Sequence, residues 1–119
     1  MGNYVDGFIV PVPKKKVKDY VKLAKISGKV WRKYGALEYY ECIADDVKVG
    51  KVTSFPRSVK RKGSETVFFS YIVYKSRAHR DAVLKKVMKD PIFKDMDMDD
   101  MPFDGMRMIY GGFKIMVAA

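Results

Sequence analysis

The side chains best suited to chemistry fall in three short stretches. MPFDGMRMIYGGF, residues 101–113, carries Asp104, Arg107, Met108 and Tyr110. YVDGF, residues 4–8, carries Asp6, and the pair at 41–42 is Glu41-Cys42. Asp6 and Glu41 are carboxylates inside apolar runs. A buried carboxylate needs donors, a cation or a raised pKa, and Arg107 is the expected partner of Glu41. Asp6, Glu41, Asp104, Arg107, Met108 and Tyr110 thus form the candidate pocket. Such a set either holds the polar end of a small molecule or ties the fold together. No catalytic residue is assigned, and whether the protein is an enzyme stays open. Arg107 and Tyr110 are three apart, so in a strand they fall on opposite faces.

Several chemistries are excluded. The chain has no P-loop, no dinucleotide fingerprint and no nucleophile elbow. One histidine and one cysteine cannot build an ordinary structural zinc site within one chain. His79 reads as a helix-surface or packing residue, and Cys42 as a buried, inert thiol. Asp95, Asp97 and Asp99 have the spacing that opens a calcium loop, but Asp100 stands where glycine is needed and Met106 where glutamate is needed. No metal and no cofactor are expected.

The net charge of +10 attracts polyanions. Lys14, Lys15, Lys16, Lys51, Arg57, Lys60, Arg61 and Lys62 are the candidate polyanion contacts. An RNA-binding reading would stack bases on Tyr4 and Phe8 together with Phe69 and Tyr71. Against it, the strand TVFFSYIVY lacks the glycine-containing basic signature of RNA-recognition motifs.

The elements that must position these residues follow from periodicity. Residues 4–12, 36–46, 66–74 and 106–117 read as strands, and 14–34 and 77–89 as helices. Val17, Tyr20, Ala24, Trp31 and Tyr34 form the inner stripe of the first helix, with lysines on its outer side and Gly35 as its stop. Gly28 interrupts that helix and implies close packing. Ser76 is a natural N-cap for the second helix, with Ala82, Val83, Val87 and Met88 as its inner face, and Asp90-Pro91 ends it. The order βαββαβ predicts one α+β domain over residues 1–119, a ferredoxin-like four-stranded antiparallel sheet.

Helices cover only one face of such a sheet, yet both faces of these strands are apolar. Val67, Phe69, Tyr71 and Val73 alternate with Phe68, Ser70, Ile72 and Tyr74. An uncovered apolar face needs a partner, and a second copy is the commonest one. The expectation is a homodimer, a dimeric α+β barrel, with Tyr110 and Met108 on its barrel side. The lone cysteine and the lack of a signal-peptide or membrane-span pattern point to the cytoplasm and away from a membrane partner.

These segments resemble the YbaA-like family, domain of unknown function 1428. The resemblance is carried by YVDGF, YGAL (34–37), Glu41-Cys42, KVTSF (51–55), Arg80-Asp81, Asp90-Pro91 and above all MPFDG-x-RMIYGGF. It implies the dimeric α+β barrel superfamily, whose members include monooxygenases, isomerases and stress-response proteins with a small-molecule pocket. Some family members carry a name linking them to the RNA of the signal recognition particle. Tyr71 stands where the family often has tryptophan, and Ile92 where a basic residue is common. Three function classes follow: a small-molecule-binding or enzymatic homodimer, an RNA-binding protein, and a non-catalytic stress or interaction module.

Overall fold

The computed structural model describes residues 2–119. Strand β1 (Tyr4–Pro13) leads through a 3-10 turn at Lys14–Lys16 into helix α1 (Val17–Lys33). Strand β2 (Glu38–Ile43) is followed by a long loop holding one helical turn, α2 (Phe55–Ser58). Strand β3 (Glu65–Tyr74), helix α3 (Arg77–Lys89), the turn α4 (Pro91–Lys94) and strand β4 (Ile109–Lys114) complete the chain. The antiparallel sheet has the order β2-β3-β1-β4, so the ferredoxin-like expectation holds.

Register decides which residues share a face. Phe8 lies opposite Ser70 and Tyr110, whereas Gly7 lies opposite Tyr71 and Gly111. Directly opposed residues point to the same side. Tyr4, Asp6, Phe8, Val10 and Val12 therefore face the helices with Phe68, Ser70, Ile72 and Tyr74. Tyr20, Ala24, Ser27 and Val30 of α1 and Val83 and Val87 of α3 close over them. Gly28 lets α1 sit directly on the Tyr39 ring, since a Cβ there would lie 3.0 Å from Tyr39 Cδ1. Ala82 and Met88, expected on the inner face of α3, are exposed instead.

The other face carries Val5, Ile9, Phe69, Tyr71, Tyr40, Ile109 and Phe113. The loop between β2 and β3 covers only one end of it, packing Val59 against Ile9 and Val67. Elsewhere Phe69, Tyr40, Ile109 and Phe113 stay 44%, 47%, 45% and 62% exposed. Edge and tilted contacts link Phe55, Phe69, Tyr71 and Tyr40 into an aromatic row on this open side. The molecule is a slab only 20 Å deep along its shortest axis, with a radius of gyration of 14.8 Å. A compact chain of this length would give roughly 13.5 Å. That flattening follows from helices packed on one face of the sheet alone.

Candidate functional site

Glu41 is the polar centre of a cleft between α1 and the edge strand β2. It sits opposite Ser70 in the ladder and on the helix-facing side. Oε1 accepts from the Tyr20 hydroxyl at 2.8 Å and from Ser70 Oγ, while Oε2 accepts from the Tyr39 hydroxyl at 2.9 Å. Among the described residues no basic side chain forms an ion pair with it. The carboxylate is thus held by three neutral donors. Burial, and next the charge of Glu41, push both tyrosine hydroxyls well above their usual range, so they stay protonated and keep donating. The cleft is an open groove with a volume of about 580 Å³. Val21, Ala24 and Phe68 give it apolar walls, Tyr39 and Glu41 line it, and Lys25, Lys29 and Arg32 stand along its α1 side.

The other expected pocket residues lie elsewhere. Arg107 does not reach Glu41, because β2 and β4 are opposite edges of the sheet, three strand spacings or about 14 Å apart. It forms a fork on Glu65 instead, with Nη1 2.9 Å from Oε1 and Nη2 2.6 Å from Oε2. Nε donates to Asp104 Oδ2 at 2.8 Å, and Nη1 also reaches the carbonyls of Lys60 at 2.9 Å and Val59 at 3.3 Å. Hydrogen bonding to Arg107 pulls the Glu65 and Asp104 carboxyls below their usual range. Every nitrogen of Arg107 is engaged, so this group pins the long loop to the start of β4 and is not free to bind a ligand.

Asp6 forms a separate site. It is 5% exposed and takes a 2.7 Å hydrogen bond from Arg80 Nη1. Burial raises its carboxyl above the ordinary value despite the Arg80 charge. The Tyr74 hydroxyl, pushed up by burial and by Asp6, accepts from Trp31 Nε1 at 3.0 Å. The Arg80 guanidinium also lies over the Tyr4 ring, 5.2 Å from its centroid. That ring crosses Gly112 so closely that a Cβ there would collide with it.

Tyr110 and Met108 are not on the barrel side. Tyr110 pairs with Phe8 and stacks on it at 6.1 Å, and Met108 packs against the core beneath α1. Ile109, Gly111 and Phe113 face the open side in their place. The last strand begins later than expected because Asp104 Oδ1 accepts from Met106 N and the Asp104 carbonyl from Arg107 N, turning 104–107 out of the ladder. Cys42 is exposed on the open face and not buried. His79 belongs to the α3 cap, where Nδ1 accepts from Lys75 N at 2.9 Å.

The basic residues divide in two. A 2.9 Å bond from Lys14 N to the Ser64 carbonyl brings Lys14, Lys15 and Lys16 beside the segment of Lys60 and Lys62. Arg57 donates to the carbonyls of Val49 and Gly50, and Arg61 to those of Lys62 and Glu65, so both guanidiniums fold back on the chain. Lys51 is exposed in the loop. The aromatic platform proposed for RNA does not form, because Tyr4 and Phe8 are on the helix face and Phe69 and Tyr71 on the open one. No helix of the described residues is long and apolar enough to cross a membrane.

Sequence reasoning gives Tyr20, Tyr39, Ser70, Glu65 and Arg80 no role in a site; Tyr20 reads as core, Ser70 as one position of an alternating strand and Arg80 only as part of the family pattern. Ser70, the only small polar residue between Val67 and Val73, is the signal in the sequence, because a lone polar residue in a buried strand must meet a partner.

The fold and sequence have relatives. The chain is 46% identical over 115 residues, 97% of each chain, to the uncharacterized protein YbaA of Escherichia coli strain K12 and to that of Shigella flexneri. An uncharacterized NIPSNAP domain protein from Burkholderia xenovorans has the same fold at a TM-score of 0.57 and 14% identity, matching 98% of this chain and 95% of its own. A dimeric ferredoxin-like protein from an uncultured marine organism matches at a TM-score of 0.55 and 12% identity, over 98% of this chain and 99% of its own. Residues 3–105 match the family described as protein of unknown function (DUF1428), and the chain belongs to that family.

Proposed function

We propose that the protein is a small-molecule-binding homodimeric α+β barrel whose ligand occupies the cleft between α1 and β2. The observation that carries the binding site is Glu41: a carboxylate lining a partly apolar cleft, held by three hydroxyls and in no ion pair among the described residues. A stability device would be satisfied at less cost by an apolar residue or a buried pair. A site needs a preorganised polar group among apolar walls.

The homodimer is supported by the uncovered face. Phe69, Tyr71, Ile109 and Phe113 form a continuous apolar surface on a thin slab, and the face is its own complement under a two-fold axis. One solved protein of the same fold is described as dimeric. The exposed Cys42 fits a reducing, cytoplasmic setting.

Light scattering at micromolar concentration should give twice the chain mass of 13.7 kDa. A clean monomer refutes the assembly. A screen of metabolites and fragments followed by amide shifts should perturb residues of the cleft, and an unresponsive cleft across a broad library refutes the binding site.

A further inference from the structure

We propose that the cleft is selective for small amphipathic acids bearing a neutral hydroxyl donor, such as phenolic or aliphatic hydroxy acids, with the hydroxyl on Glu41 and the acid group toward Lys25, Lys29 and Arg32. The inference rests on the reading of this cleft as a ligand site and names what the site takes.

The Glu41 part of the cleft accepts and does not donate. A carboxylate has about four lone-pair positions. Tyr20 and Ser70 occupy Oε1, while Tyr39 alone occupies Oε2, which leaves Oε2 able to accept one more hydrogen bond. All three hydroxyl protons are committed to Glu41, so an anionic group placed there would meet a like charge and no free donor.

The outer side has the opposite character. Lys25, Lys29 and Arg32 recur along two turns of α1, about 10 Å of helix. None is in a salt bridge among the described residues. Three cations on the α1 side of the cleft repel an amine that the Glu41 charge alone would attract. A ligand that satisfies both ends carries an uncharged donor inward and a negative group outward. Val21, Ala24 and Phe68 supply the apolar lining of the same cleft, suited to an aromatic ring or short alkyl chain. The volume of about 580 Å³ holds a molecule of that class.

The test uses the full chain, isotopically labelled, with three probes of one shape. Para-hydroxyphenylacetate has the donor and the anion, phenylacetate has only the anion, and tyramine has the donor with a cation. Amide shifts of residues 24–29 and 39–42 report the cleft. Para-hydroxyphenylacetate should bind roughly 10-fold or more tightly than either of the others, because one charge-assisted hydrogen bond and one charge contact separate them. Glu41→Gln should erase the preference over phenylacetate. Lys29→Ala, a surface change that leaves the fold intact, should weaken both acids alike. Tyramine binding as well as the hydroxy acid overturns the proposal, as does equal binding of the two acids. If these probes leave the cleft amides unmoved while other fragments shift them, only the ligand class falls. If a broad fragment library also leaves them unmoved, the cleft is not a ligand site and both readings fall.

Discussion

Replacing Arg107 tests whether the longest motif in the chain works as a clamp. Glu65 is 5% exposed at its side chain and Arg107 17%, and two of the five Arg107 contacts form a fork on that carboxylate. Arg107→Met keeps the stem and removes the charge. Breaking one side of a buried pair costs about 3–5 kcal/mol. Glu65 keeps a 2.7 Å bond from Lys62 N, and Arg107 is partly wetted, so the lower end applies, about 3 kcal/mol. For a chain of this length that lowers Tm by about 10 °C. Adding Glu65→Leu removes the stranded carboxylate and should recover part of the loss. The pH dependence has a definite sign. Hydrogen bonding to Arg107 lowers the Glu65 pKa, so its contribution is complete above the ordinary value of 4.5 and disappears as pH falls through the lowered folded value. Urea unfolding of wild type, single and double variants at two pH values measures all of this. Amide shifts at residues 24–29 should not change. If Arg107→Met costs less than about 0.5 kcal/mol yet abolishes ligand binding, the clamp is wrong and Arg107 belongs to a site.

Three further outcomes follow from the packing. Gly28→Ala gains about 1 kcal/mol of helix propensity, but its Cβ meets a Tyr39 ring held by Glu41 and by Trp31; a net loss of about 1 kcal/mol in thermal unfolding, with altered near-UV dichroism, is expected. Asp6→Asn should cost more at about pH 4 than at about pH 7, because burial raises the Asp6 pKa and its ionised form is disfavoured in the fold; Glu65→Gln should show the reverse slope in urea melts. Phe113→Lys should halve the mass seen by light scattering and speed thiol labelling of Cys42 by at least about 10-fold, since the proposed face-to-face dimer would cover a thiol that the protomer exposes. Unchanged labelling places the interface elsewhere.

The sequence made some of this legible. Helix α3 lies where Ser76 and Asp90-Pro91 bracket it, because a side-chain cap and a proline act locally: Ser76 Oγ accepts from His79 N at 3.1 Å. The strand order was readable from the alternation of elements. Face assignment in β4 was not. Met108, Ile109, Tyr110 and Phe113 are all apolar enough for either side, so period-two patterning carries no sign there. Only the pairing of Gly7 with Gly111 settles it, and pairing is non-local. The partner of Glu41 failed for the same reason. Glu41 and Arg107 are natural mates by charge, but strand order puts them on opposite edges, and the actual partners are hydroxyls that look like ordinary core tyrosines.

The two faces of the sheet also separate the two proposed activities. Glu41 and its hydroxyl donors are on the helix side, whereas Phe69, Tyr71, Ile109 and Phe113 are on the open side. A face-to-face dimer leaves the α1–β2 cleft uncovered, so its ligand needs no residue from a second copy. Coupling between assembly and binding would have to pass through β3, where Ser70 holds Glu41 on one side and Phe69 and Tyr71 flank it on the other. A strand in a packed sheet transmits a shift on one face to the other only by moving its backbone, and β3 is bonded along both edges by β1 and β2. That rigidity argues for a site whose affinity is set within each protomer and for a dimer whose role is to cover an apolar face.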